Sequence, residues 1–213
     1  MQLHEKYRPT SWGDVVGQDS ITKKLQRLAR AGRIGGRAYW LAGSSGTGKT
    51  TIARLIGAEV AAPEYVIEMD AGDVSLDTIR RWEMDMRQYP LIGNGRAYVI
   101  NEAHGLRRAV IRRLLILLES LPDNVAIVFT TTQAGQEYLF DMQEDTAPLL
   151  SRCIVCRLTS KGLCRAFAER AREIARLEGL DGKPITAYER ALKDARNNLR
   201  AVLQAVDAGE FLD

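Results

Sequence analysis

A glycine-rich segment lies between a short apolar stretch and a stretch with helical periodicity. Residues 43–50 read G-S-S-G-T-G-K-T and fit the pattern G-x-x-x-x-G-K-[ST]. A loop of this kind turns its backbone N–H groups inward around a phosphate, and the helix that follows offers its positive N-terminus to the same group. The segment therefore predicts a strand–loop–helix unit that binds the phosphates of a nucleotide.

Each residue type in this loop has a chemical reason to be there. Gly46 and Gly48 allow the tight turn, Lys49 places a point charge between the β- and γ-phosphates, and the Thr50 hydroxyl can bind Mg²⁺. A chance glycine-rich turn is the alternative, but strand, loop, lysine, hydroxyl and helix in register favour a phosphate loop. The predicted nucleotide-binding residues are Ser45, Gly46, Thr47, Gly48, Lys49, Thr50 and Thr51.

Strand and helix patterns alternate through the first three quarters of the chain. Strands that alternate with helices predict a parallel sheet covered on both faces. Helical spacing of apolar residues occurs over 19–31, 50–60, 75–86 and 106–120, and short apolar strands over 38–42, 65–69, 97–100 and 125–131.

The composition changes after about residue 160, where three helical patterns follow one another with no strand: 161–177, 186–195 and 198–206. We therefore predict a nucleotide-binding α/β domain over 1–158 and a small three-helix domain over 159–213. The expected fold class is α/β, a doubly wound parallel sheet followed by a helical lid.

A second polar pair follows the predicted strand 97–100. The segment A-Y-V-I-N-E-A-H places Asn101 and Glu102 at the carboxyl end of that strand. Glu102 can orient and deprotonate the water that attacks a γ-phosphate, and Asn101 is the predicted second metal residue beside Thr50. Most ATPases of this kind have an aspartate at the position of Asn101, and an amide lacks its negative charge.

Two hypotheses about hydrolysis follow from this asparagine. Either ATP is hydrolysed with weaker Mg²⁺ binding, or ATP is bound and turned over very slowly. The presence of Glu102 favours hydrolysis.

Composition excludes several classes of protein. The apolar fraction is 46% and the charged fraction 27%, which excludes disordered and fibrous chains. No apolar run has the length of a membrane span, and the charged start has no signal-peptide core, so we expect a cytoplasmic protein without a membrane partner. Three cysteines, Cys153, Cys156 and Cys164, favour free thiols over a zinc site or disulfides.

Several further motifs occur in a fixed order. E-K-Y-R-P spans 5–9, D-V-V-G-Q spans 14–18, A-I-V-F-T-T-T-Q spans 126–133, S-R-C spans 151–153 and N-N-L-R spans 197–200. With the phosphate loop and the Asn–Glu pair, they make residues 5–203 resemble the AAA+ clamp loaders. These are P-loop ATPases, namely the bacterial DNA polymerase III gamma/tau subunit and the small subunits of replication factor C.

The resemblance implies roles for individual residues. It places the adenine and ribose pocket at Tyr7, Arg8, Val16 and Gly17, with a surface turn as the alternative. It also implies a polar γ-phosphate sensor at Thr132 (or its neighbour Thr131), an arginine finger at Arg152 that acts on the next subunit's ATP, and a lid arginine, Arg200, that reaches the γ-phosphate.

This chain departs from the family at several positions. Asn197 and Asn198 replace the usual glycine and serine, and no cysteine lies between Thr50 and Asn101, where the bacterial subunit has a four-cysteine zinc module. The segment between Thr132 and Ser151 is longer than in the bacterial family. The clamp loaders also continue into a third helical collar domain that this sequence lacks, so we expect assembly to depend on ATP-bridged contacts or on another protein.

Arginines form the predicted DNA-binding set. A net charge of only +3 makes local placement, and not bulk charge, the argument for nucleic acid. Such a set can neutralise backbone phosphates without reading sequence, and a solvated basic face is the open alternative. The set is Arg80, Arg107, Arg108 and Arg112.

The family also contacts a sliding clamp. Trp82, Met84, Met86 and Leu91 lie near the corresponding region, although we favour core positions for them.

The resemblance predicts an ATP- and Mg²⁺-dependent subunit that works with neighbouring AAA+ subunits to load a sliding clamp onto primed DNA. Two alternatives remain. One is another AAA+ DNA-processing ATPase, for branch migration or helicase loading, and the other is a nucleotide-dependent assembly module with little hydrolysis.

Overall fold

The computed structural model describes residues 1–88, 90–93, 95–132 and 146–212. The chain forms two compact units. We call Lys23–Gly43 with Lys49–Arg157 the sheet unit, and Met1–Thr22, Ser44–Gly48 and Leu158–Asp213 the helical unit. The domain boundary placed after residue 158 stays a prediction, since the units also divide the chain near its start and at the glycine-rich loop.

The sheet unit contains a five-stranded parallel sheet in the order β2-β3-β4-β1-β5. This order confirms the predicted doubly wound α/β fold. The strands are β1 (Arg37–Ala42), β2 (Val66–Asp70), β3 (Arg96–Asn101), β4 (Val125–Thr131) and β5 (Cys153–Arg157). The helices of the sheet unit are α3 (Lys49–Val60), α4 (Leu76–Asp85), α5 (Arg108–Glu119) and α6 (Thr146–Ser151). The short α1 (Leu3–Lys6) belongs to the helical unit, and α2 (Asp19–Arg30) begins in that unit and continues in the sheet unit after Thr22.

Both faces of the sheet are buried, which explains the nearly continuous apolar strands. On one face Trp40 of β1 and Phe129 of β4 pack with their ring centroids 5.5 Å apart, in the cluster that contains Trp82 of α4. On the other face α3 approaches β3 closely. A methyl group built on Gly57 of α3 would lie 3.4 Å from Cβ of Ala97.

Three of the named elements were not predicted: the strand β5 and the short helices α1 and α6. β5 is a five-residue strand that pairs only with β1 and is mostly half-buried. A run this short carries no clear period, so the sequence pattern did not separate it from a loop. The S-R-C tripeptide thus lies where α6 ends and β5 begins.

The helical unit is built on the three predicted helices, which the structure confirms with small changes at their ends. They are α7 (Cys164–Leu177), α8 (Ile185–Asp194) and α9 (Leu199–Asp207). Their core includes Phe167, Val206 and Leu3 of α1, and Tyr188 stacks on Phe211 with ring centroids 4.1 Å apart. Within the described ranges, none of the helices has the length and apolar character needed to cross a membrane.

The three cysteines are free thiols, as predicted. Burial raises the pKa of Cys153 to about 12 and also raises the pKa of Cys156, so both stay protonated at neutral pH. In the part of the chain that the structure describes, no group of three or more histidine, cysteine, aspartate or glutamate side chains could hold a metal ion.

Candidate nucleotide site

Lys49 lies at the carboxyl edge of the sheet. It begins α3, its side chain is buried with 8% of the residue exposed, and its Nζ donates a hydrogen bond to the Gly43 carbonyl oxygen at 2.8 Å. The Gly43 N–H in turn donates to the Thr131 carbonyl oxygen at 3.3 Å, where β4 ends. A buried ammonium group is thereby held beside the ends of β1 and β4, where parallel sheets bind their ligands.

The loop before Lys49 has the backbone that its glycines predict. Gly46 and Gly48 have φ angles of 75° and 95°, which residues other than glycine rarely adopt. A Cβ atom on Gly46 would lie 2.0 Å from Oδ1 of Asn198, so only glycine fits there. The Thr47 hydroxyl donates to the Ser44 carbonyl oxygen at 2.8 Å and fixes the turn, whereas Ser45 is exposed.

Gln18 and Asn198, which were not among the predicted site residues, lie next to this loop within the helical unit. The buried Gln18 amide donates to the carbonyl oxygens of Thr159 at 2.8 Å and Thr47 at 3.4 Å. Asn198 accepts a hydrogen bond from the Ala201 N–H at 3.3 Å and so caps α9. Gln18 therefore holds the loop by a hydrogen bond, and Asn198 lies close against Gly46.

Glu102 directly follows β3 and has an unusual backbone. Its φ and ψ angles are both 49°, a left-handed conformation that costs free energy for any residue except glycine. Its carboxylate Oε2 lies 3.4 Å from Nδ1 of His104, and that nitrogen lies 3.2 Å from the Thr131 hydroxyl. His104 is a site residue that the sequence analysis missed. Its position two residues after Glu102 was the available signal.

Asn101, the last residue of β3, is held by side chains from the two neighbouring strands. Its Nδ2 donates to Glu68 Oε1 at 2.7 Å, and the Thr130 hydroxyl donates to Asn101 Oδ1 at 2.9 Å. Glu68 is also bound by Arg54 of α3, whose Nε lies 2.8 Å from the other carboxylate oxygen. Glu68 and Thr130 were not predicted because both are distant from Asn101 in sequence.

The predicted metal residues fit Mg²⁺ by their chemistry. Thr50 lies in the first turn of α3 and is half-buried, as is Asn101. Both offer oxygen atoms, the donors that Mg²⁺ requires, and a Mg²⁺ site normally needs only one or two protein groups besides water and phosphate. Thr51, the next residue of α3, is buried.

Comparison with solved structures identifies the fold. A mutant of RuvB from Thermotoga maritima superposes with a TM-score of 0.74 at 22% sequence identity, covering 95% of this chain and 65% of that one. A second RuvB structure from the same organism, described as a Holliday junction branch migration motor, gives a TM-score of 0.68 at 23% identity, covering 94% of this chain and 64% of that one. The fold is that of the AAA+ P-loop ATPases.

Sequence comparison is more specific. The tau subunit of Escherichia coli DNA polymerase III is 32% identical over 175 residues, covering 71% of this chain and 26% of that protein. The gamma/tau subunit of Mycobacterium tuberculosis is 30% identical over 158 residues, covering 62% and 27% respectively. The chain is a relative of the AAA+ clamp-loader ATPases. It spans about a quarter of the length of these relatives, and no protein-family model matches it.

The clamp-loader resemblance placed an adenine pocket near the start of the chain, and the structure brings part of it together. Val16 packs against the helical core together with Leu163. Gly17 has a φ angle of 78°, and a Cβ atom there would lie 2.6 Å from Leu163 Cδ1. Leu163 thus joins Val16 and Gly17 as a pocket candidate that the sequence motif did not include.

Tyr7 and Arg8 each bind an acidic side chain of the same unit. The Tyr7 hydroxyl donates a hydrogen bond to Glu178, which raises the pKa of Tyr7, and Lys6 and Tyr7 together lower the pKa of Glu178. Arg8 forms an ion pair with Glu5. Binding of a base or ribose by these two side chains stays a prediction.

The other residues to which the clamp-loader resemblance gave roles are Arg152, Thr132 and Arg200, and each lies in a different part of the fold. Arg152 precedes β5 and pairs with Glu119 of α5, with Nη2 and Oε1 2.5 Å apart. Thr132 is half-buried directly after β4, and Arg200 is exposed in the first turn of α9. Most of the longer segment between Thr132 and Ser151, residues 133–145, lies outside the described residues.

All four predicted DNA-binding arginines are exposed. Arg107 precedes α5, and Arg108 and Arg112 lie one turn apart on it, while Arg80 of α4 pairs with Asp77 at 2.9 Å.

The apolar stretch near α4 is divided. The prediction of core positions is right for Trp82 and Met86, which are buried. It is wrong for Met84 and Leu91, which are 58% and 96% exposed. Met84 lies on the solvent face of α4, and Leu91 lies beyond the end of that helix.

Proposed function

We propose that this chain binds ATP with Mg²⁺ and hydrolyses it, as a subunit of a clamp-loader-like complex that places a sliding clamp on primed DNA. The main support is the arrangement at the carboxyl edge of the sheet, where the buried Lys49 lies beside the end of β1 and Glu102 follows β3. The sequence relatives are subunits of DNA polymerase III, which supports a role in DNA replication.

Each group has a definite task in this proposal. The loop N–H groups and Lys49 bind the β- and γ-phosphates, and Thr50 and Asn101 hold Mg²⁺, which neutralises phosphate charge when bound. The Glu102 carboxylate orients the attacking water and accepts its proton. His104 lies close enough to Glu102 to fix the direction of that carboxylate. Thr132, at the end of β4, is the proposed sensor of the γ-phosphate.

Arg152 is proposed to act on the nucleotide of a neighbouring subunit. It is partly exposed, and its ion pair with Glu119 is of the exposed kind that contributes little to stability. A guanidinium group of this kind can leave its carboxylate for a phosphate at small cost and stabilise transition-state charge there.

For Arg152→Ala we expect ATP turnover of the assembled protein to fall about a hundredfold, with ATP affinity changed less than about threefold. Mixing this variant with Lys49→Ala subunits tests action between subunits, because each mixed interface can pair an intact Arg152 with an intact Lys49. Recovery of turnover in the mixture supports the role. A mixture no more active than its two parts contradicts it.

Clamp loading itself predicts that ATP turnover rises when primed DNA and a sliding clamp are added together. We expect DNA binding to require ATP and to weaken steeply with salt, because phosphate contacts release counterions. The Arg108→Ala/Arg112→Ala double variant should reduce both the DNA affinity and its dependence on salt, whereas Arg165→Ala on α7 should leave them unchanged. ATP turnover that ignores DNA and clamp argues against clamp loading and for another AAA+ activity.

One observation favours a second function, that of an assembly module with little hydrolysis. Asn101 carries no charge, and its amide is already bound by Glu68 and Thr130. A single-turnover assay over a range of Mg²⁺ concentrations separates the two functions. ATP that stays intact at every concentration, although it is bound, supports the assembly module.

A further inference from the structure

The inference concerns the amide of Asn101 and rests on the proposed nucleotide function. An asparagine amide has an accepting end, Oδ1, and a donating end, Nδ2, and a half-turn of the side chain exchanges them. Only Oδ1 can bind a metal ion or accept a hydrogen bond from metal-bound water. The partners of the amide therefore decide whether Asn101 can replace the usual aspartate at all.

Glu68 decides this orientation. A carboxylate oxygen accepts hydrogen bonds and donates none, so the end of the amide that faces Glu68 must be Nδ2, which lies 2.7 Å from Oε1. The opposite end, Oδ1, then faces the Thr130 hydroxyl at 2.9 Å. A carbonyl oxygen has two lone pairs, so Oδ1 keeps one after it accepts from Thr130.

Glu68 is itself well placed for this task. It lies on β2, where it is paired with Val99, and reaches diagonally along the sheet to Asn101, whose own partner in the register is Asp70. Its side chain is 26% exposed and its second oxygen is bound by Arg54. The negative charge thus lies one side chain away from the position that lacks it, and it is only partly screened by solvent.

We propose that Glu68 is a positioning residue for Mg²⁺. It turns Oδ1 of Asn101 toward the metal position and supplies, from the neighbouring strand, the negative charge that an aspartate would carry. Partners behind the direct ligands commonly tune metal binding in this way. The alternative is that Glu68 is purely structural and joins β2 to α3 through Arg54.

The test measures how the binding of a fluorescent ATP analogue to the full chain depends on Mg²⁺ concentration. For Glu68→Gln we expect the half-saturating Mg²⁺ concentration to rise about tenfold, with affinity in the absence of Mg²⁺ nearly unchanged. Arg54→Gln removes the structural ion pair but keeps the carboxylate, so its shift should stay below about twofold. Glu64→Gln, an exposed control on the same unit, should have no effect.

A second pair of variants measures the coupling directly. Asn101→Asp alone places two carboxylates next to each other. Combined with Glu68→Gln, it exchanges the carboxylate and the amide between the two positions, so the amide introduced at position 68 can still donate a hydrogen bond to the carboxylate introduced at position 101. We expect the double variant to half-saturate at a Mg²⁺ concentration about tenfold below that of Asn101→Asp alone.

Three outcomes overturn the inference. The first is an unchanged Mg²⁺ dependence in Glu68→Gln, and the second is a shift of equal size in Arg54→Gln. The third is that the effects of Asn101→Asp and Glu68→Gln simply add in the double variant. These results differ from a failure of the proposed function, in which the wild-type chain binds no ATP analogue at any Mg²⁺ concentration.

Discussion

Replacing Lys49 by alanine is expected to weaken ATP binding about a hundredfold and to lower turnover at limiting ATP about a thousandfold. Lys49 supplies the positive charge of the loop motif. Its ammonium group lies beside the ends of β1 and β4 and is buried against the Gly43 carbonyl oxygen. A charge-assisted bond to phosphate in such a site is stronger than one in water because solvent screens it less. Equilibrium binding of a fluorescent ATP analogue and steady-state phosphate release measure the two effects.

The control for this variant is Lys23→Ala, which removes an exposed lysine from α2 and should change neither quantity. Thermal unfolding shows whether Lys49→Ala still folds. We expect a lower melting temperature, because the substitution removes the hydrogen bond to Gly43 and the buried stem of the lysine, so both quantities are measured at a temperature at which the variant is folded. Wild-type affinity and turnover in a folded Lys49→Ala protein would contradict the proposed function at its first step.

The sequence predicted most of the fold because its signals are local. Strand β4 was placed at its observed ends, since seven β-branched, aromatic and small residues follow one another there and all are buried. The glycine-rich loop was recognised because its chemistry is contained in eight consecutive residues. Strand β5 was missed because its five residues, C-I-V-C-R, are too few to show a period.

Candidate site residues could be predicted where a motif carries them, but not where neighbouring strands bring them together. Asn101 and Glu102 follow an apolar strand, so their position at the end of the sheet could be predicted. The contact between Asn101 and Glu68 could not, because it joins residues 33 positions apart and depends on β2 lying beside β3. Glu68 and Thr130 contact Asn101 from the two neighbouring strands, whereas His104 lies two residues after Glu102 and could have been proposed from the sequence.

The asparagine that looked like a defect in the sequence is therefore part of a larger polar group in the structure. An aspartate at this position would face the carboxylate of Glu68 at hydrogen-bond distance, and like charges so close repel each other. An asparagine forms a good hydrogen bond there instead. Asn101 and Glu68 are thus chemically matched, as the proposed positioning role of Glu68 requires.

Glu102→Gln separates hydrolysis from binding. The amide has nearly the shape of the carboxylate and can keep the left-handed backbone at this position, but it cannot accept a proton from water. We expect the hydrolysis rate of bound ATP to fall about a thousandfold, while affinity for ATP changes less than about threefold. Single-turnover hydrolysis of labelled ATP and equilibrium binding measure the two, with Glu64→Gln as the exposed control.

The result also decides between the two proposed functions. If Glu102 is the base, the variant binds ATP, accumulates in the ATP-bound state and holds any ATP-dependent assembly or DNA complex longer than the wild type does. If the wild-type chain already hydrolyses as slowly as Glu102→Gln, the carboxylate performs no proton transfer and the chain acts as a nucleotide-dependent assembly module. A variant that loses ATP binding as well as hydrolysis would assign Glu102 to binding, because a side chain needed only in the transition state leaves ground-state affinity intact.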